Sequence, residues 1–268
     1  MLDEEHAGDA RFCRQAELGQ LSGDREHQAR DLGGRGRGSG KGHGGDERGV
    51  SREGGKALHC ERRLSSYSAI MDADHFREEL GRIADSEIVE KYYLSEGARH
   101  LSNDDIEYIQ KVVAASYGTS LSEVVVFITG SAKLGFTTVD KKLKDGSMRP
   151  RYAPFDIASD IDVAVISPKI FQRIWVELAN YSARKAYFPW RADRLGDYLI
   201  CGWLRPDHFP RVTHLYQTNE WWPTFERLSK SSRYRRRKVR GGLFHSIEHL
   251  QIYLERVVRI SRRQEEAA

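Results

Sequence analysis

The chain has 268 residues, and its 43 Lys and Arg against 39 Asp and Glu give a formal net charge of +4. It has no apolar run near the roughly 20 residues that cross a bilayer, no basic patch followed by an apolar run at its N-terminus, and no framework spacing among Cys13, Cys60 and Cys201. These features argue against a membrane-spanning protein, a secretory signal peptide and a disulfide scaffold, so we expect a cytoplasmic protein.

Residues 1–70 differ in composition from the rest of the chain. They contain 14 of the 24 glycines, and their 12 Lys and Arg are balanced by 12 Asp and Glu. Because their apolar residues are sparse and aperiodic, we predict a disordered tail. Two alternatives are a Gly/Arg-rich nucleic-acid arm, which the balanced charge disfavours, and translated upstream sequence, with the natural start at Met71. We assign residues 71–268 to the folded domain.

The folded part opens with helical patterns. Phe76, Leu80 and Ile83 recur at helical spacing, and a second helix follows an N-cap at Ser102 or Asn103. The segment "EVVVFIT" then predicts a strand that stops at Gly130-Ser131, and a polar stretch predicts a long loop or an exposed hairpin.

A second strand, "DVAVIS", begins at the middle of the chain and ends at Pro168. An amphipathic helix follows it, then two shorter helices, a strand in "RKVRGGLF" and a closing helix. That last helix is predicted to bury Ile247, Leu250, Leu254, Val257 and Val258. The fold class is therefore α/β (α+β), with few strands and several helices.

Two carboxylates stand at the start of the second strand. Asp160 and Asp162 are two residues apart, so a strand places them on one face, where they repel each other. A divalent cation would relieve that repulsion, and Mg²⁺ prefers oxygen ligands. Upstream, Gly130 allows close approach of a ligand, and Ser131 offers a hydroxyl and an N–H to phosphate oxygens.

The segments "GSAKLGF" and "SDIDVAV" together resemble the motif of the polymerase-β-type nucleotidyltransferase superfamily, over about residues 124–167. The resemblance implies a small mixed sheet flanked by helices. It implies that Gly130 and Ser131 hold a nucleoside triphosphate, that Asp160 and Asp162 bind catalytic Mg²⁺ or Mn²⁺, and that Ser159 is the small polar residue before the pair, close to the nucleotide.

The chain departs from that superfamily in two ways. Gly130 and Asp160 are 30 residues apart, which is a longer spacing than in common members and fits an inserted loop. Active members usually carry a third acid on a later strand, and "RKVRGGLF" has none. Four other acids remain as candidates but lie in predicted helices or turns: Glu177, Asp193, Asp197 and Asp207.

A basic cluster precedes and enters the last predicted strand. Its six cations are Arg233, Arg235, Arg236, Arg237, Lys238 and Arg240. It is either a solvated surface or a contact for RNA or for the triphosphate. If the cluster follows a strand, alternate residues face opposite ways and three of the six meet one ligand. Arg256, Arg259, Arg262 and Arg263 on the closing helix would extend this surface.

Two functions follow as hypotheses. The first is a Mg²⁺-dependent nucleotidyltransferase that moves a nucleoside monophosphate to an acceptor hydroxyl on RNA, a protein, an antibiotic or a second nucleotide. The second is a catalytically degenerate member that binds a nucleotide or RNA and acts as a partner in a bacterial toxin–antitoxin or phage-defence system. The missing third acid favours the second hypothesis, and the intact Ser-Asp-x-Asp favours the first.

Overall fold

The structure is a computed structural model that describes residues 72–143, 145–184 and 192–268, with side chains omitted at residues 192–194. The predicted disordered tail, residues 1–70, lies outside the described residues. Within them, none of the helices is both long enough and apolar enough to cross a membrane.

The described chain is a mixed helical and sheet fold, which confirms the predicted fold class at that level. The helices are α1 (Ala73–Leu80), α2 (Asp85–Ile88), α3 (Asn103–Ser116), α4 (Gly130–Leu134), α5 (Pro168–Ala183), α6 (Ala192–Leu199), α7 (Tyr216–Asn219), α8 (Trp221–Lys230) and α9 (Ile247–Glu266). The strands are β1 (Val125–Thr129), β2 (Lys141–Lys142), β3 (Met148–Arg149), β4 (Ile161–Ile166), β5 (Trp203–Leu204) and β6 (Val239–Phe244). A π-helical turn, Val89–Ser95, continues α2.

The main sheet has four strands in the order β1-β4-β6-β5. Strand β4 pairs antiparallel with β1 and parallel with β6, while β5 pairs antiparallel with β6. Strands β2 and β3 form a separate hairpin, so the polar stretch predicted as a loop or hairpin contains a hairpin. Because β4 is central, its first residues are flanked by both neighbouring strands.

Local sequence explains where the flanking helices begin. The Ser102 hydroxyl accepts from the Asp105 N–H at 3.2 Å, and the Asp105 carboxylate accepts from the Ser102 N–H at 3.0 Å, which is a capping box for α3. The Ser167 hydroxyl caps α5 by accepting from the Ile170 N–H at 3.3 Å, and Pro168 occupies the first turn. Strand β4 therefore passes directly into α5.

The sheet has a hydrophobic core on each face. Ile161, Val163 and Val165 belong to one core, and Ala164 and Ile166 belong to the other. Since residues two apart share a face, Asp160 and Asp162 lie on the face of Ala164 and Ile166, on the side of α1 and α9.

The predicted inner face of α9 is correct in part. Leu250, Leu254 and Val258 are buried, and Val257 is partly buried. The prediction for Ile247 is wrong, because this residue is 38% exposed. Ile247 is the first residue of α9 and precedes the turn at which the helix reaches the core.

Candidate nucleotide and metal site

The glycine turn and the paired carboxylates meet at one point of the sheet. Thr129, the last residue of β1, pairs with Asp162 of β4, so Gly130 follows directly beside the carboxylate. Gly130 has a left-handed backbone with φ of 60°, and a Cβ placed on it would lie 2.9 Å from Asp162 Oδ2. The turn therefore needs glycine for its backbone conformation and for its closeness to the carboxylate.

The pKa of Asp162 lies well above the ordinary value for an aspartate. Burial raises its pKa to about 6, and repulsion from Asp160 adds to that increase. Three cations act against the increase, in the order Arg240, Lys141 and Lys238. Because burial and the charge of Asp160 disfavour the ionised form of Asp162, a cation bound beside this carboxylate would stabilise that form.

Asp160 already has a positive partner in the structure. Arg240 Nε lies 2.7 Å from Asp160 Oδ2, and both side chains are partly exposed. Arg240 lies on β6, directly opposite Asp162 in the parallel register of β4 and β6. The neighbouring strand thus places a guanidinium beside the carboxylate pair, where the resemblance implies a third acid.

None of the predicted candidates for the third acid whose side chains the structure describes has a contact with Asp160 or Asp162. The Glu177 carboxylate accepts from Thr218 N–H and hydroxyl at 2.8 and 2.6 Å, so it caps α7. Asp207 pairs with Arg205 at 3.4 Å and is largely exposed. Asp197 has a partly exposed side chain on α6, and the side chain of Asp193 lies outside the described part. Over residues 72–143, 145–184 and 192–268, no three His, Cys, Asp or Glu side chains form a group that could hold a metal.

Two carboxylates nevertheless fit Mg²⁺ that arrives with a nucleotide. In proteins Mg²⁺ commonly uses one or two carboxylates, several waters and the phosphates of the substrate. Asp160 and Asp162 supply such a pair, and the glycine turn leaves the backbone bare beside Asp162. The donor set fits a substrate-borne Mg²⁺, provided that Asp160 exchanges Arg240 for the metal.

Ser131 and Ser159 have different surroundings. Ser131 is the second residue of the short helix α4 and is partly exposed, with its carbonyl accepting from Gly135 N–H at 2.8 Å. The buried Ser159 hydroxyl donates to Asp156 Oδ1 at 2.8 Å and accepts from the Asp156 N–H at 3.1 Å. Those bonds tie the Ser159 hydroxyl to the loop that leads into β4, and its predicted place beside a nucleotide stays a prediction.

Two arginines hold that loop, and sequence reasoning missed this role. Arg149 donates to Pro154 O at 2.7 Å and to the Ser159 hydroxyl at 3.2 Å. Arg237 donates to the carbonyls of Asp156 and Ser159 and lies 4.6 Å from the centre of the Phe155 ring. Arg237, assigned from its charge to a ligand contact, thereby fixes the approach to Asp160.

The basic cluster does not follow a strand, and the prediction of alternating faces is wrong. Five of its six cations precede β6, in a 3₁₀ turn (Ser232–Tyr234) and a left-handed turn at Arg235 and Arg236. Three of the four arginines on α9 that were predicted to extend this basic surface have partners within the described chain. Arg259 and Arg262 pair with Asp85, and Arg256 donates to the Cys201 sulfur.

Comparison with known proteins adds no relative. No protein-family model matches the chain, and neither the curated proteins nor the solved structures contain a match.

Proposed function

We propose that this chain is a Mg²⁺-dependent nucleotidyltransferase, which transfers a nucleoside monophosphate from a nucleoside triphosphate to an acceptor hydroxyl. The observation that carries the proposal is the contact between the glycine turn and Asp162, which are 32 residues apart in the chain. A bare, left-handed backbone beside a perturbed carboxylate is what a metal-bound triphosphate would require.

In this proposal, different residues bind the metal and the phosphates. Asp160 and Asp162 would hold the metal, which would supply neutralisation of phosphate charge and orientation of the substrate. Gly130 and Ser131 receive the β- and γ-phosphates. The acceptor oxygen forms a bond to the α-phosphorus, the bond to the bridging oxygen breaks, and pyrophosphate leaves with that electron pair while the acceptor proton passes to water.

Arg240 has two states in the proposed cycle. Without a nucleotide it neutralises Asp160, as in the structure. With a triphosphate and Mg²⁺ bound, Asp160 would be a ligand of the metal, and the guanidinium would pair with phosphate oxygens, for which its planar fork is well suited. The nucleotide therefore supplies Arg240 with a new partner at the moment that it loses the old one.

A second candidate function rests on the same arginine. If Arg240 stays on Asp160, the pair cannot take a metal, and the chain would be a degenerate member that binds a nucleotide or RNA. Such a protein would act through a partner, as in toxin–antitoxin or phage-defence systems. The guanidinium at the place of a third acid is the specific feature that favours this alternative.

Pyrophosphate release separates the two candidates. The protein is incubated in turn with ATP, CTP, GTP and UTP in Mg²⁺ or Mn²⁺, with the Asp160→Asn/Asp162→Asn variant as a matched control. Release by the parent chain with at least one triphosphate, absent from the variant, supports the enzyme. Equal release by both proteins rejects these carboxylates as catalytic, and no release with measurable triphosphate binding favours the degenerate binder.

A further inference from the structure

Two consecutive arginines occupy an unfavourable backbone conformation beside the candidate site. Arg235 and Arg236 have φ of 51° and 55°, a left-handed region where asparagine and glycine are preferred. Their N–H groups donate to Ser232 O at 2.9 Å and Ser231 O at 3.3 Å, which holds the turn in place. Residues held in sparsely populated backbone regions cluster at active sites, ligand clamps and switch regions.

The six cations of the basic cluster fall into two groups. Arg233 pairs with Asp105, Arg237 holds the loop before β4, and Arg240 pairs with Asp160. The other three, Arg235, Arg236 and Lys238, are exposed and form no ion pair or side-chain hydrogen bond with any residue that the structure describes. These three are therefore available to an external anion.

The turn separates two clefts. Arg235 lines a cleft of about 400 Å³ together with His100, Phe155 and Tyr234. Arg236 lines a more open cleft of about 520 Å³, together with Lys238 and residues of α8. Lys238, which lines this second cleft, immediately precedes β6.

A flexible polyanion fits this arrangement better than a compact one. Arg235 lines one cleft and Arg236 and Lys238 line the other, so the turn forms a ridge between the two clefts. The contiguous phosphates of a single triphosphate would not reach cations on both sides of this ridge. A single strand can bend over the ridge, which a stiff duplex resists. The Phe155 ring is stacked on the His100 ring, with 4.5 Å between ring centres, and Arg237 Cζ lies 4.6 Å from the Phe155 ring centre. Because the ring already has partners, contacts of a strand there would be to phosphates rather than to bases.

We propose that the Arg235-Arg236 turn, with Lys238, is a binding surface for a single-stranded polynucleotide and recognises its phosphodiester backbone without sequence preference. The inference rests on the proposed function in one respect, since it makes the polynucleotide the source of the acceptor hydroxyl. Three phosphate contacts to a single strand give a slope of log affinity against log salt of about −2, at roughly −0.7 per contact.

The test measures binding of the full chain to labelled single-stranded RNA and DNA 12-mers by fluorescence anisotropy, in EDTA and without triphosphate. The test variant is Arg235→Asn/Arg236→Asn, because asparagine tolerates the left-handed turn. The matched control, Arg82→Gln/Arg184→Gln, removes two exposed arginines that line neither cleft. A poly-glutamate chain tests for an acidic polypeptide instead.

The parent and the control are expected to bind the oligonucleotides with a slope of about −2, and the test variant about tenfold or more weakly with a slope near −0.7. Its thermal midpoint should be unchanged or higher, because the strained positions are relieved. The difference in affinity between the RNA and the DNA 12-mer shows which kind of polynucleotide this surface prefers.

Several results would overturn the proposal: no binding at low salt, an unchanged affinity in the test variant, an equal loss in the control, or poly-glutamate binding as tight as RNA. Because the assay contains neither metal nor triphosphate, its outcome is independent of pyrophosphate release. A failure of this surface is thus distinguishable from a failure of the proposed transferase activity.

Discussion

Arg240 of β6 pairs with Asp160 at 2.7 Å while lying in register with Asp162, so one guanidinium serves both carboxylates of the candidate site. A cation supplied by the neighbouring strand lets two adjacent carboxylates face the same way in the absence of a metal. The same contact implies a competition between Arg240 and any divalent cation for Asp160.

Arg240→Gln is expected to change metal and nucleotide binding in opposite directions. Binding of Mn²⁺ without nucleotide should tighten by about twofold to fivefold, the size of a partly exposed ion pair. Binding of the triphosphate with Mg²⁺ should weaken by about tenfold or more, as a charge-assisted phosphate contact is lost. Titration calorimetry checks both, and Arg240→Lys should retain part of the phosphate contact. Unchanged affinities for both ligands would contradict the exchange.

Gly130→Ala should abolish triphosphate binding, and Gly118→Ala provides its matched control. Both glycines have left-handed backbones, with φ of 60° and 56°, so each substitution should cost about 1–2 kcal/mol of folding free energy. A Cβ at Gly118 meets nothing within 4 Å, whereas one at Gly130 meets Asp162. Urea denaturation and nucleotide titration separate the two effects. Equal nucleotide affinity in both variants would place the phosphates elsewhere.

The raised pKa of Asp162 predicts a specific pH dependence of stability. Its folded pKa of about 6 exceeds its ordinary value of 3.8, so the folded state binds the proton more tightly. This contribution to stability is complete below about pH 4 and is lost as the pH rises through 6. Above pH 6 the ionised carboxylate opposes folding by up to about 3 kcal/mol, at about 1.4 kcal/mol per pH unit.

Asp162→Asn removes that penalty. Urea denaturation should find the variant more stable than the parent by about 2–3 kcal/mol at pH 7.5, with the difference shrinking toward zero at pH 4. A difference that is constant with pH would assign the effect to the amide rather than to ionisation.

Substitutions of different arginines in the basic cluster should change the free energy of unfolding by different amounts. Arg237→Met removes donors to the carbonyls of Asp156 and Ser159, so it should cost about 1–2 kcal/mol. Arg235→Met removes an exposed cation without an ion pair among the described residues and should stay within about 0.5 kcal/mol of the parent. Urea denaturation curves of the two variants give the free energies of unfolding that check this difference. Equal losses would mean that the Arg235 side chain also supports the fold.

Local patterns in the sequence were enough to predict the two strands and the turn of the candidate site. The apolar runs of β1 and β4 have clear ends, and Gly130 and the aspartates lie at those ends. Cap residues such as Ser102 also mark helix starts locally, because the bonds span three residues.

Contacts between distant segments were not predictable in this way. The pairing of Arg240 with Asp160 depends on the parallel register of β4 and β6, which are separated by more than 70 residues. The role of Arg237 depends on which carbonyls its long side chain reaches. Arg235 and Arg236 occupy a left-handed backbone region that their residue type disfavours, so their sequence carries no signal for this turn.

A crystal structure with a bound nucleotide would show whether the metal and the phosphates lie at the paired carboxylates and the glycine turn. Crystals grown with Mn²⁺ and a triphosphate whose α–β bridge cannot be cleaved would locate the metal by its anomalous scattering. The proposed function predicts manganese between Asp160 and Asp162, phosphates against Gly130 and Ser131, and Arg240 moved from Asp160 to a phosphate oxygen. A nucleotide bound elsewhere, or bound with Arg240 still on Asp160 and no manganese beside it, would contradict it.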